Sequence, residues 1–154
     1  MLISIGGYRS QNKKLKMLLE KAASFYGTKL MSKRLYNNIE LSIVLTRKMK
    51  KKEGCYGTCH FEDNEWRPRE FIIELDGGPR RSLEMLLMTL AHEMIHLKQW
   101  ARGEMQDYAR KPAMRRWKSK TYDVRKIDYV DEPWEKEAYR LEEKLYKEFA
   151  EVVL

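Results

Sequence analysis

Apolar residues recur along the chain with two different periods, and the change of period divides it into predicted helices and strands. Residues 11–26 carry apolar side chains at intervals of three and four, which predicts a helix with Ser10 as its cap and Gly27 as its end. Alternating or continuous apolar runs bounded by turn-forming residues then predict three strands, at residues 39–46, 55–62 and 70–75.

Two further apolar stripes predict two more helices in the second half of the chain. The first begins after Ser82, a candidate N-cap, and ends near Gly103; its apolar positions are Leu83, Leu87, Leu90, Met94 and Leu97. The second begins at Pro133, since proline is favoured in the first turn of a helix; its apolar positions are Trp134, Ala138, Leu141, Leu145 and Phe149. Residues 104–132 between them show no clear period, although residues 117–122 predict a short hairpin.

The length of the chain and the order of these elements predict one α+β domain. A chain of 154 residues has the size of a single domain and can bury a substantial core, so we assign residues 1–154 to one domain. The order is helix, three strands, helix, irregular segment, helix. It predicts a small three-stranded, mainly antiparallel sheet that packs against the helices.

The composition is typical of a soluble globular protein, with 43 % apolar and 35 % charged residues. No apolar run approaches the ~20 residues that a membrane-spanning helix needs. Residues 1–7 lack the basic start and the apolar length of a secretory signal. The sequence therefore predicts an intracellular, cytoplasmic protein with no membrane partner.

Positive charge is concentrated in two parts of the chain. The net charge is +8, and residues 1–53 alone carry 13 Lys and Arg against 3 Glu. The densest cluster is residues 47–52, and a second basic stretch, residues 110–126, holds eight Lys and Arg and one Asp. Such clusters can neutralise phosphates, so both are candidate nucleic-acid contacts. The alternative is a solvated surface that keeps the protein soluble.

The two cysteines, Cys55 and Cys59, lie four residues apart on a predicted strand. Side chains at this spacing on a strand are about 13 Å apart, which is too far for a disulfide. We therefore predict two reduced, half-buried thiols. A minor metal site that combines these thiols with the neighbouring His60 is the alternative.

The most informative motif is His92-Glu-Met-Ile-His96, within the predicted helix that follows Ser82. On a helix, residues four apart project from one face one turn apart, a spacing that lets two imidazoles bind one metal ion. Glu93 lies beside the first imidazole, where its carboxylate can take a proton from a metal-bound water. The motif therefore predicts a catalytic zinc site with His92 and His96 as ligands and Glu93 as general base. The alternative is an amphipathic core helix whose histidines only form hydrogen bonds.

A catalytic zinc ion needs a third protein ligand, which leaves one coordination position for water. No histidine follows His96, so the downstream candidates are carboxylates: Glu104, Asp107, Asp123, Asp128, Asp131, Glu132, Glu135, Glu137 and the acidic residues beyond them. The ligand should lie on a rigid element beside an apolar stripe that faces the metal helix. Glu135 and Glu137, near the start of the last predicted helix, meet both conditions. Complementing the dipole of that helix is the other role open to them.

The predicted strands, followed by His92-Glu-Met-Ile-His96 and Pro133-Trp-Glu-Lys-Glu-Ala138, resemble zincin-type metallopeptidases. In particular, residues 39–150 are similar to small SprT-like metalloproteases, many of which bacteriophages encode. In several zincin families the third ligand is a glutamate followed three residues later by alanine, on a helix packed against the metal helix. The resemblance therefore implies a zincin-like fold, a gluzincin-like ligand set with Glu135 rather than Glu137, and, for a phage protein, the host cytoplasm.

These residues and this resemblance predict zinc-dependent hydrolysis of a protein or peptide substrate. The strand at residues 70–75 is expected to pair with an extended peptide, and the candidate oxyanion-stabilising residues are Tyr122, Tyr129 and Tyr139. Two alternatives stay open: a non-catalytic zinc-containing binding module, and a protease recruited to DNA by its basic surface. An open coordination position and the presence of Glu93 argue against the first, and salt-dependent DNA binding would identify the second.

Overall fold

The computed structural model describes residues 1–50 and 54–154, and its larger sheet has four strands. They are β1 (Leu2–Gly7), β2 (Glu40–Thr46), β3 (Gly57–Phe61) and β4 (Glu70–Asp76), in the spatial order β1–β2–β4–β3. β1 and β4 both pair with β2 in parallel, whereas β3 pairs antiparallel with β4. The prediction of a three-stranded, mainly antiparallel sheet is therefore wrong in strand number and in strand direction.

The direction of the strands follows from what lies between them in the chain. Two helices separate β1 from β2, and such a crossover connection is what parallel neighbours require. After β2 the chain forms β3 at the edge of the sheet. It then returns as β4, which lies between β2 and β3. Burial explains this order, because Phe71, Ile73 and Leu75 of β4 are buried whereas no residue of β3 is. The more exposed β3 therefore lies at the edge of the sheet.

The structure contains four α-helices in its described residues: α1 (Lys13–Leu30), α2 (Lys33–Asn37), α3 (Leu83–Ala101) and α4 (Pro133–Val153). Ser82 caps α3 as predicted, since its hydroxyl oxygen accepts a hydrogen bond from the Met85 amide at 3.1 Å. Gly103 follows the end of α3 with a φ of 71°, a conformation that favours glycine. α4 begins at Pro133, also as predicted.

The first helix is longer than predicted. The side chain of Asn12, not that of Ser10, accepts a hydrogen bond from the Leu15 amide and caps α1. Gly27 lies inside the helix, because it is buried against the ring of Tyr36 where a side chain has no room. A close contact between elements thus overrides the tendency of glycine to end a helix.

The segment without a clear period forms a second sheet of three antiparallel strands. These are β5 (Met105–Tyr108), β6 (Lys111–Trp117) and β7 (Lys120–Asp123), in that order. The predicted hairpin at residues 117–122 is confirmed, since Lys118 and Ser119, with φ values of 45° and 84°, form the turn between β6 and β7. The three strands are short and mostly half-exposed or exposed, so their apolar residues show little alternation.

α3 lies at the centre of the protein. It packs against β3 and β4, against α1 and most extensively against α4. Every residue from 90 to 101 is buried, so the polar side chains of this stretch must find partners inside the protein. Although α3 is largely apolar, no helix within residues 1–50 and 54–154 is long and apolar enough to cross a membrane.

Candidate metal centre

His92 and His96 lie one turn apart on α3 and face α4. Their Nε2 atoms are 3.1 Å apart, and the residues are 7 % and 8 % exposed. Glu135 of α4 reaches both rings: its Oε2 lies 3.1 Å from Nε2 of His92, and its Oε1 lies 3.0 Å from Nε2 of His96. Ligand atoms of these three buried residues all lie within 4.8 Å of one another, close enough to bind one metal ion.

The spacing and the chemistry of these three side chains fit a tetrahedral metal ion. Ligand atoms at ~2.0–2.1 Å from such an ion are about 3.3 Å apart, close to the 3.0–3.1 Å separations found here. The buried Glu135 carboxylate has no Lys or Arg partner within residues 1–50 and 54–154. A cation bound by the three groups would balance the carboxylate charge in place of an imidazole proton.

Glu137, the second candidate ligand, points away from the histidines. Its carboxylate accepts hydrogen bonds from Lys98 at 2.5 Å, from Lys118 at 3.2 Å and from Gln99 at 3.3 Å. Glu137 therefore joins α4 to α3 and to the turn between β6 and β7. Three of the upstream candidates also pair elsewhere: Glu104 with Lys98, Asp107 with Arg115 and Asp123 with Arg125.

Two further residues, which the sequence reasoning missed, hold the imidazoles in place. The Nδ1 atom of His92 lies 2.6 Å from a Glu142 carboxylate oxygen, and Nδ1 of His96 lies 2.8 Å from the side-chain amide oxygen Oε1 of Gln99. Acceptors at both Nδ1 atoms favour the tautomer that leaves Nε2 free for a metal ion. Helical spacing could have identified both residues. Glu142 follows Glu135 by two helical turns and Gln99 follows His96 by one, so each lies on the same helix face as a predicted ligand.

The imidazole of His92 and the carboxylate of Glu135 shift each other's pKa. Burial lowers the pKa of His92, but hydrogen bonds to the Glu135 and Glu142 carboxylates outweigh it and raise the pKa to about 10. Burial raises the pKa of Glu135, but hydrogen bonds from both imidazoles outweigh it and lower the pKa to about 2. Since a proton and a metal ion compete for the same lone pairs, metal binding would release a proton from this cluster.

Glu93 lies beside the histidines but faces β3. A Cβ atom added to Gly57 would be only 3.0 Å from Oε1 of Glu93 and 2.7 Å from the Thr89 methyl carbon, so glycine permits this close approach of β3 to α3. Burial raises the pKa of Glu93; the charges of His96 and His92 lower it, but the net shift is upward. A carboxylate with a raised pKa is suited to accept a proton and to release it again.

His92 and Glu93 line a cleft of about 630 Å³, together with Gly57, Arg81, Met85 and Met88. Two of the three candidate oxyanion residues line it. The Tyr139 ring lies 4.8 Å from the His92 ring, centroid to centroid, and burial together with the nearby Glu135 carboxylate raises the pKa of Tyr129. Tyr122 instead packs against Trp134, with ring centroids 6.0 Å apart.

The strand predicted to bind the substrate lies in the wrong position for that role. β4 (Glu70–Asp76) is paired with β2 on one side and with β3 on the other, so it has no free edge. β3 pairs with β4 alone among the described residues. The free edge beside Glu93 therefore belongs to β3, because the chain places its more exposed strand outermost.

Cys55 and Cys59 form no disulfide and both are half-buried, which agrees with the prediction of reduced, half-buried thiols. Burial, together with the charge of Glu93, raises the pKa of Cys59 well above its usual value, which disfavours the thiolate form. His60 is exposed and does not join the thiols in a metal-binding group; among the described residues only His92, His96 and Glu135 form one.

No protein-family model, no curated protein and no solved structure matches this chain.

Proposed function

We propose that this chain is a zinc-dependent metallopeptidase of the zincin type, similar to small SprT-like metalloproteases. One observation carries the proposal: the imidazoles of His92 and His96 and the carboxylate of Glu135 converge beside Glu93, at a cleft that opens onto a strand edge. Structural zinc sites use four protein ligands, whereas three protein ligands leave a position for water. A buried carboxylate next to that position favours a catalytic role, because it can accept a proton from the bound water.

Each side chain of the site then has a role in peptide hydrolysis. A zinc ion bound by the three ligands would lower the pKa of its water toward ~7 and polarise the scissile carbonyl. Glu93 takes the proton of the attacking water and delivers it to the leaving amine. Glu142 and Gln99 orient the two imidazoles, and Tyr129 and Tyr139 are placed to donate hydrogen bonds to the carbonyl oxygen as it gains charge.

The substrate that suits this cleft is an extended segment of a protein or peptide. The free edge of β3 offers main-chain N–H and C=O groups beside Glu93, and an added strand would pair with them. Gly57, at the start of β3, keeps this part of the edge close to α3. Folded substrates would need a mobile loop or terminus to enter.

The test of the proposal combines metal analysis with a cleavage assay. The purified protein, without a metal-binding tag, is expected to contain about one zinc ion per chain and to cleave members of a random peptide library. A chelator should remove both the zinc and the activity, and added zinc should restore both. Folded protein that binds no zinc would contradict the proposal, and a zinc protein that cleaves no peptide would support the non-catalytic alternative.

The contact between Glu142 and His92 predicts a specific loss of metal affinity. Glu142→Ala is expected to weaken zinc binding by about 10- to 100-fold, because the acceptor that orients the His92 ring is removed. Competition against a chromophoric chelator measures the change. Glu143→Ala is the matched control, since Glu143 is exposed on the same helix and pairs with Lys147 at 2.6 Å. Equal affinities of the two variants would remove Glu142 from the metal site.

Nucleic-acid contact through the basic stretches is a second proposal. Within residues 110–126, three cations pair with acids: Arg115 with Asp107, Lys118 with Glu137 and Arg125 with Asp123. The remaining five are exposed and form no ion pair with a described residue: Arg110, Lys111, Arg116, Lys120 and Lys126. In the cluster at residues 47–52, Arg47, Lys48 and Lys50 are described, whereas Lys51 and Lys52 lie outside the described residues.

DNA binding should therefore weaken steeply with salt and depend on the second sheet. Reversing the charges of Arg110, Lys111 and Lys120 to Glu is expected to lower DNA affinity and to reduce the salt slope by about 3, one unit for each lost phosphate contact. Fluorescence anisotropy between low and physiological salt measures both. The control reverses Lys13, Lys14 and Lys16, which are exposed on α1. An equal loss in the control would assign the binding to net charge alone.

A further inference from the structure

A second pocket, of about 460 Å³, lies at the far end of β3 and is lined by aromatic rings. Phe61 ends β3, and its ring lies 4.9 Å from the ring of Trp100 on α3, centroid to centroid. Trp66, in the loop between β3 and β4, is 63 % exposed, and Phe61 is 37 % exposed. Two aromatic side chains so accessible in one pocket are expected to contact a ligand.

The polar part of this pocket is acidic. Glu65, Asp107, Asn64 and Gln106 line it, and no Lys or Arg does so within the described residues, although the chain has a net charge of +8. Asp107 is neutralised by Arg115 at 3.0 Å, but Glu65 is exposed and forms no ion pair with a described residue. A carboxylate beside exposed aromatic faces favours a cation, because both attract positive charge. Trp100 already has one, the guanidinium of Arg115 at 5.2 Å from its ring centroid.

The position of the pocket relative to the metal centre follows from the geometry of β3. Gly57 lies against Glu93, and Phe61 is four residues further along the strand, about 13 Å away. Side chains four apart on a strand point to the same side, and here that side is occupied by α3, which carries both Glu93 and Trp100. A peptide paired with the free edge of β3 would therefore extend from the metal centre to this pocket.

We propose that the pocket formed by Phe61, Trp66, Trp100 and Glu65 is a subsite for a lysine or arginine side chain of an extended peptide bound along β3. Antiparallel pairing is the more stable arrangement, and it places the basic residue about four positions to the N-terminal side of the cleaved bond. This inference rests on the proposed peptidase function, which it extends to a class of substrate. The specificity comes from the end of the strand and not from the metal centre.

The test measures peptide binding separately from cleavage. Zinc-loaded Glu93→Gln protein is titrated with a labelled twelve-residue peptide of small neutral residues that carries one central lysine. Replacing the lysine by norleucine, which keeps the alkyl chain but not the charge, is expected to weaken binding about tenfold. Trp66→Ala should cause a similar loss, and Glu65→Gln about a threefold loss. Glu62→Gln is the matched control and should change affinity less than Glu65→Gln, because Glu62 is exposed nearby but does not line the pocket.

Wild-type protein then reports the register, because mass spectrometry of the products locates the cleaved bond relative to the lysine. Cleavage about four residues after the lysine is expected; cleavage before it would overturn the antiparallel arrangement. Equal binding of the lysine and norleucine peptides, or an unchanged affinity in Trp66→Ala, would overturn the cation subsite. If lysine peptides bind through Trp66 and yet wild-type protein cleaves none of them, the peptidase proposal fails while the subsite stands.

Discussion

Glu93→Gln is expected to lower kcat for peptide cleavage by about 10²- to 10⁴-fold while zinc stays bound. Glutamine has the size of glutamate, so the contact with Gly57 and the position of β3 should be kept. The amide, however, cannot accept and release a proton, so it cannot replace the carboxylate as a base. Steady-state kinetics on one library-derived peptide, together with elemental analysis of the same protein sample, measure both effects.

The control for this change is Glu151→Gln, which removes a carboxylate of the same size at the exposed end of α4. It should match wild-type protein in activity and in zinc content. Loss of zinc from Glu93→Gln would show that Glu93 is a ligand and not a base. Full activity of Glu93→Gln would mean that catalysis does not depend on Glu93, and the mechanism proposed above would then be wrong.

Glu135→Ala is expected to impair metal binding, whereas Glu137→Ala is expected to impair stability. Glu135→Ala should lose its zinc during dialysis, because one of three ligands is removed. Glu137→Ala should keep its zinc but lower the free energy of unfolding by about 2–3 kcal/mol. The buried Lys98 loses one carboxylate partner in that variant, although it retains Glu104 at 2.8 Å. Zinc content and chemical denaturation of both proteins separate the two outcomes.

The two glutamates serve as controls for each other, since they lie two residues apart on the same helix and both are buried. Denaturation should be compared in zinc-free protein, because bound zinc itself stabilises the folded state. If Glu137→Ala loses zinc while Glu135→Ala retains it, the ligand assignment is wrong but the His92 and His96 pair remains. If both lose zinc, the packing of α4 on α3 is what holds the site together.

The elements that could be predicted are those whose signals are local. α3 begins after Ser82 and ends before Gly103, and α4 begins at Pro133. These ends could be predicted because helix caps and helix-starting prolines act within one turn of the chain. α1 was predicted less well at its ends, since the burial of Gly27 against Tyr36 depends on a neighbouring element. The short strands of the second sheet are mostly half-exposed or exposed, so apart from the turn at residues 118–119 their sequence carries little alternation.

The direction and order of the strands could not be predicted from the sequence alone. Parallel and antiparallel strands can show the same alternation of apolar and polar residues. The packing of α1 and α3 on the sheet decides which strands become neighbours. The expected substrate strand, residues 70–75, lies inside the sheet for this reason. The apolar residues of β4 are more buried than those of β3, and the less apolar β3 lies at the exposed edge.

Local periodicity is enough to predict that His92 and His96 share one face of a helix with Glu93 beside them, because residues four apart on a helix point the same way. The sequence also limits the downstream candidates for a third ligand to carboxylates, since no histidine follows His96. The packing of α4 on α3 was needed to bring Glu135 to the histidines, to direct Glu137 to Lys98 and to place Glu142 beside His92, while Gln99 contacts His96 from the next turn of α3. These contacts join residues on separate turns or separate helices. How two packed helices are rotated relative to each other is decided by their buried side chains, and no sequence pattern within one helix specifies it.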